Sequence, residues 1–177
     1  PQFITTNRMA DSSFYGEVAE LGQRVIEAFD IGTSATHMEW FYGPKGLRFS
    51  EIGARPPGVG AWDLYSAANE VDVYREWAHV QAHGTAERPM GRPYSAGIVA
   101  LRPDRDGVIS GYSGIDDIFG RYGEWIIDTH FPHVGHMTQG VEAGYMANAY
   151  VRMRHPDYDT LRAMLDDVGR TIHVYAG

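Results

Sequence analysis

Apolar residues along the 177-residue chain recur with a period that switches several times, and each switch marks an element. Asp11-Ser12-Ser13 offers helix N-caps; Val18, Leu21, Val25, Ile26 and Phe29 then form one apolar stripe at helical spacing, with Gly32 as a stop. Over residues 36–42 the period falls to two, placing His37, Glu39 and Phe41 on one strand face and Met38, Trp40 and Tyr42 on the other. Residues 47–52 alternate likewise, which groups Leu47, Phe49 and Glu51. Helical spacing returns over residues 61–69 and 73–83, the second helix capped by Asp72 and stopped by Gly84. Trp62, Leu64, Tyr65, Ala67, Val71, Tyr74 and Trp77 read as its core.

Residues 85–93, with Pro89, Gly91 and Pro93, are the clearest break and divide the chain into a portion at 1–84 and another at 94–177. Beyond it, strands are predicted at 94–101, 108–112, 124–130, 145–154 and 172–175. Helices are predicted at 116–121 and at 158–168, the latter ending at Gly169. Residues 1–7 read as the tail of an extended segment with no visible partner, and a start on proline suggests a piece of a larger protein. The pattern is that of an α+β fold with a largely antiparallel sheet.

Between the first two strands, Gly43-Pro44-Lys45-Gly46 is turn chemistry, because proline presets one φ and glycine accepts a positive one. A three-residue loop, Pro44-Lys45-Gly46, with Gly46 left-handed sets a register in which Glu39 lies opposite Glu51. A four-residue loop would separate the two carboxylates onto opposite faces unless a bulge restored the register. Like charges facing each other across a strand pair destabilise it unless a cation sits between them. A divalent ion is one such cation. Arg55, in the following run Glu51-Ile52-Gly53-Ala54-Arg55-Pro56-Pro57-Gly58, stands ready for an anion.

Composition narrows the classes. With 44% hydrophobic and 21% charged residues a packed core is expected, and no apolar run is long enough to span a bilayer. A net charge of −8 without a Lys/Arg-rich run argues against nucleic-acid or anionic-membrane partners. The absence of cysteine excludes disulfides, thiolate metal sites and a cysteine nucleophile, and permits a cytoplasmic location. It also removes the zinc-deaminase reading of His37-x-Glu39, which needs a P-C-x-x-C segment. His130, His133 and His136 recur every third residue, but Pro132 and Gly135 break any helix that would align them. A loop near an active-site mouth is the expectation there rather than a zinc site. Asp104, Asp106, Asp116 and Asp117 read as turn and cap residues, since their spacing fits no EF-hand.

A helix, an H-x-E strand (His37-Met38-Glu39), a Gly-Pro turn, then E-x-x-x-R-P-x-G (Glu51 to Gly58) and paired helices resemble the C-terminal half of an ATP-grasp ligase. Carbamoyl phosphate synthase, biotin carboxylase and the amino-acid ligases that make dipeptides are members, and the chain looks closest to the L-amino-acid-ligase branch. The likeness is strong over residues 12–84. It is looser from Tyr94 onward, where Ala96-Gly97-Ile98-Val99-Ala100-Leu101-Arg102-Pro103 is similar to the C-terminal subdomain that follows the catalytic hairpin.

The resemblance implies that Glu39 and Glu51 hold Mg²⁺ or Mn²⁺ bridging the ATP phosphates, and that Arg55 is the catalytic arginine that steadies the transferring phosphate. It further implies a carboxylate substrate activated as an acyl phosphate, which an amine then attacks. His37 either contacts substrate or metal-bound water, or is a hydrogen-bonded structural histidine. Gly58 and Gly60 either present backbone amides to a substrate anion at a helix N-terminus or make a tight strand-to-helix connection. Many ATP-grasp sequences carry asparagine two residues after the second glutamate; Gly53 stands there, so the number of metals, one or two, is open. The nucleotide-clamping lysines and glycine-rich loop of the family lie N-terminal to this region. They are expected in an N-terminal half, so the chain alone is expected to bind ATP poorly and to be inactive. A homodimer is left open. The alternatives are a non-catalytic ATP-grasp-like binding or assembly module, and a carbamoyl-phosphate or biotin-carboxylase type enzyme.

Overall fold

The computed structural model describes residues 2–5, 13–143 and 149–177. In chain order the elements are β1 (Gln2–Thr5), α1 (Ser13–Ala28), β2 (His37–Gly43), β3 (Gly46–Gly53), α2 (Ala61–Asn69), α3 (Val73–His83), β4 (Ser95–Leu101) and β5 (Ile109–Ser113). They continue with α4 (Ile115–Tyr122), β6 (Ile126–His130), β7 (Ala149–His155), α5 (Tyr158–Thr171) and β8 (His173–Ala176), with short 3₁₀ turns at Gly123–Trp125 and Val141–Ala143. Among the described residues every strand pairing is antiparallel: a four-stranded sheet in the order β1-β4-β7-β6, and the two-stranded ribbons β2-β3 and β5-β8. The α+β expectation holds.

The four-stranded sheet is covered on both faces, which is why β4 is a nearly continuous apolar run rather than an alternating one. On one face Leu161, Leu165 and Val168 of α5 pack against Val99, Val151 and Met153. On the other, Leu64 and Ala68 of α2 meet Ala96 and Ile98. Gly97 lies at the tightest point of the first layer: a Cβ there would come within 2.6 Å of Leu165 Cδ1 and 3.2 Å of the Phe3 carbonyl oxygen.

Several expectations change in detail. The extended N-terminal segment has a partner after all, for Gln2–Thr5 pairs with β4 from Gln2↔Val99 to Thr5↔Ala96. α1 stops at Ala28, ahead of Gly32, because Asp30 turns left-handed (φ 50°) and the Ile31 amide donates back to the Ile26 carbonyl. α5 does not end at Gly169 but runs on to Thr171. The strand expected from 124 begins at Ile126, after the 3₁₀ turn, and residues 145–148 of the strand expected before Ala149 lie outside the described residues. Of the expected core around α2 and α3, Leu64 and Val71 are buried, but Tyr65, Tyr74 and Trp77 are exposed at 45%, 46% and 36%. One side of α2 is spent on the sheet, and its remaining aromatics face outward or into a cleft.

Residues 85–93 are tied down by two buried polar side chains. Asn69 accepts the Arg92 amide (3.0 Å), and Glu76 of α3 accepts the amides of Glu87 (2.9 Å) and Arg88 (3.1 Å). Loss of water pushes the Glu76 carboxyl pKa up, but the two backbone donors together with the charges of His79 and Arg88 outweigh this and leave it lowered. A depressed carboxyl stabilises the fold above its unfolded pKa, and that stability is lost as pH falls through the folded value. Glu76→Gln is therefore expected to melt at lower temperature than the parent at pH 7, with the difference closing below about pH 4. Thermal melts of both proteins across pH 3–7 check this; a gap that stays constant would refute it.

Candidate active site

The hairpin β2-β3 owes its orientation to α1. Met38, Trp40 and Tyr42 face that helix: Met38 Sδ lies 3.5 Å from where a Cβ on buried Gly22 would stand, and the Phe14 and Tyr42 rings meet edge-on at 4.7 Å. The opposite face, carrying His37 and Glu39, is left for chemistry.

Glu39 and Glu51 are direct cross-strand partners, flanked by Met38↔Ile52 and His37↔Gly53. The register reaches this point by a different route from the one expected. The turn is the two-residue Pro44-Lys45 connection between paired Gly43 and Gly46, with Gly46 left-handed (φ 76°). Toward the tip the pairs run Trp40↔Phe49 and Tyr42↔Leu47, so Ser50 is an extra residue, a β-bulge. The bulge corrects the predicted grouping of Leu47, Phe49 and Glu51. Phe49 lies beside Trp40 (ring centroids 5.5 Å) and near Phe29 of the α1 end (6.5 Å), and Leu47 is buried. Only Glu51 remains on the Glu39 face. Without the bulge, the two apolar side chains and the carboxylate would compete for one face.

Both carboxylates are exposed, and among the described residues neither has an ion-pair partner. Opposed anions without a protein cation, offering only oxygen donors, fit a hard divalent ion such as Mg²⁺, which takes one or two carboxylates and fills its remaining positions with water and phosphate. Arg55 follows on an exposed loop. Its side chain folds back over Gly53, with Nε 3.5 Å from where a Cβ would stand, and Nη1 donates to the Pro56 carbonyl (2.9 Å). The glycine that replaces the expected asparagine thus leaves the space over which the arginine stem lies.

A cleft of about 880 Å³ opens beside this hairpin. It is lined by the polar groups of His37, Glu39 and Arg55 and by Gly58, with Val59 and Trp62 as apolar wall and the sheet residues Ile98 and Ala100 as floor. Glu51 and Gly60 do not line it. Gly60 (φ 66°) is the residue before α2, and the amides of Asp63 and Leu64 both donate to its carbonyl. Of the histidine loop, His130 ends β6 stacked on Tyr150 (5.6 Å), and the His136 amide donates to the His133 carbonyl (3.0 Å).

Three groups were not legible in the sequence. Arg92, over 30 residues from the hairpin, also lines the cleft. Val59 adopts a left-handed backbone (φ 54°), rare for a β-branched residue. Arg152 of β7, buried, joins Asp63 of α2 to Asp128 of β6. No local spacing signals any of them: Arg92 is held by Asn69 of α2 and Arg152 by carboxylates of α2 and β6, all distant in sequence.

No protein-family model matches the sequence, and no curated protein does. Solved structures do. An L-amino acid ligase from Bacillus licheniformis aligns over 99% of this chain and 46% of its own, with a TM-score of 0.81 at 12% identity. The chain has an ATP-grasp fold. Phosphoribosylglycinamide synthetase from Anaerococcus prevotii (TM-score 0.76, 10% identity) covers 99% of this chain and 45% of its own. N5-carboxyaminoimidazole ribonucleotide synthetase from Thermotoga maritima (TM-score 0.69, 17% identity) covers 99% and 46%. The chain therefore spans a little under half the length of these three ATP-grasp ligases, consistent with a C-terminal half.

Proposed function

We propose that this chain is the metal- and phosphate-binding portion of an ATP-dependent carboxylate–amine ligase working through an acyl phosphate. The observation that carries the reading is the Glu39↔Glu51 pair, opposed on one hairpin face with no cationic partner among the described residues, beside a cleft that Arg55 also lines. Likeness to three ligases of this fold supports it. Residues 1–84 would carry the metal site and 94–177 an associated subdomain, with a nucleotide-holding half supplied from outside the chain.

Glu39 and Glu51 would hold the divalent ion, which when bound neutralises phosphate charge. Arg55 would swing from the Pro56 carbonyl to the transferring phosphate, where its planar fork suits two oxygens at once. His37 and the Gly58 backbone would orient the acid in the cleft, and the apolar wall would exclude water from the activated acyl group. The work of the site is positioning and charge stabilisation.

A second reading is favoured by Gly53 and by the rest position of Arg55 on its own loop: a module that keeps the fold without catalysis. Hydroxylamine separates the two. With ATP, Mg²⁺, a panel of carboxylic acids and hydroxylamine, the whole protein is expected to release ADP and form hydroxamate in equal amounts with its acid. No ADP and no hydroxamate with any acid would favour the module.

A further inference from the structure

We propose that Arg152 is a positioning residue for the cleft: from β7 it holds the Val59–Gly60 turn and the first turn of α2 in the shape that forms the cleft wall. The inference rests on reading the cleft as the substrate site.

Four observations converge on this arginine. Its Nη1 is shared by Asp63 Oδ2 at 3.2 Å and Asp128 Oδ2 at 2.9 Å, so one guanidinium ties α2 to β6. Its cation lies 4.7 Å over the Tyr150 ring. Its Nη2 fills the space where a Cβ on Gly60 would stand, so only glycine fits beneath it. In the sheet it is the register partner of Ile98, which forms cleft floor. The same side chain therefore touches the sheet that makes the floor and the turn that makes the wall.

That turn needs holding. Val59 and Gly60 are both left-handed (φ 54° and 66°), and a β-branched residue stays there only when its surroundings over-determine it. Gly58 and Val59 line the cleft directly, and the amides of Ala61, Asp63 and Leu64 are spent on the carbonyls of Gly58 and Gly60. Stability alone does not explain the arginine. It is only 8% exposed, and its Nε is buried without a partner among the described residues. Burying the guanidinium costs desolvation that two half-exposed carboxylates offset only in part, so a geometric role is the better account.

The test combines hydrogen exchange with kinetics on the whole protein. In Arg152→Met, amides 61–64 are expected to exchange at least about tenfold faster while those of α5 are unchanged. The KM for the substrate seated in the cleft is expected to rise about tenfold with a smaller change in kcat, because positioning rather than chemistry is lost. Arg152→Lys should recover part of both effects, keeping the charge without the fork. Gly60→Ala should reproduce Arg152→Met, and the double variant should be no worse than the poorer single one. Unchanged exchange at 61–64, a uniform rise that includes α5, or additive effects of the two substitutions would each overturn the proposal. The exchange arm needs no turnover, so a protein that proves to have no ligase activity would defeat the functional reading and leave the role of Arg152 to be decided by exchange.

Discussion

Glu51→Gln is expected to cost about a hundredfold or more in ATP-dependent turnover and to stabilise the metal-free protein at the same time. The loss follows from removing one of two anionic oxygen ligands for the phosphate-bridging cation, where charge, not bulk, does the chemistry. The gain follows from the register: Glu39 and Glu51 are direct cross-strand partners, and like charges so placed oppose pairing. Relieving that repulsion should raise the melting midpoint of the metal-free chain by about 1–2 °C. Mg²⁺ or Mn²⁺ should then stabilise the parent and not the variant, because a ligand that binds only the folded state raises its stability by mass action. Melts with and without metal, alongside ADP release, check all three parts. A variant with parental turnover and parental metal response would remove the metal assignment, while Glu39→Gln behaving like Glu51→Gln would extend it to both carboxylates.

The second large effect lies in the core. Leu165→Ala should destabilise the protein by about 2–5 kcal/mol, since Leu165 is fully buried between α5 and the sheet and its removal leaves a cavity. The melting midpoint should fall by roughly 5–15 °C. Gly97→Ala alone should also destabilise, by about 1–3 kcal/mol, because the new methyl would meet Leu165 Cδ1, Ile4 Cγ1 and the Phe3 carbonyl. The two sites share one volume. The double variant should therefore cost less than the sum, as the alanine methyl at 97 moves into space vacated at 165. Chemical denaturation of the four proteins measures the coupling; strict additivity would show that the two side chains do not compete for the same space.

Much of the fold was legible because its signals are local. Asp72 accepts the Arg75 amide and Gly84 closes α3 in left-handed backbone, as the cap residues predicted. The β4 strand declared itself as an apolar run between a proline-rich segment and Arg102-Pro103. The carboxylate pair was legible only conditionally. Alternation places Glu39 and Glu51 on defined faces of their own strands, but whether those faces coincide depends on the phase between two strands, and a single extra residue inverts it.

What settled that phase was burial. Leu47 gains burial and Phe49 gains ring contacts with Trp40 and Phe29 that sharing a face with Glu51 would deny them, and the bulge at Ser50 lets the strand satisfy both demands. The cleft tells the same story. The chain order predicted His37, Glu39 and Arg55 near one another, but Arg92 in the cleft lining and Arg152 beneath the Gly60 turn are brought in by helix and strand neighbours distant in sequence. By itself the sequence determined which segments are helix or strand, where most of them stop, and that two glutamates and an arginine follow one another across a hairpin, because those depend on side-chain period and turn stereochemistry over a few residues. Only the tertiary structure decided that the glutamates share a face, that β1 completes a sheet with β4, and that a buried arginine ties the cleft's floor to its wall. These are settled by which surfaces can be buried together, a property of the folded chain as a whole.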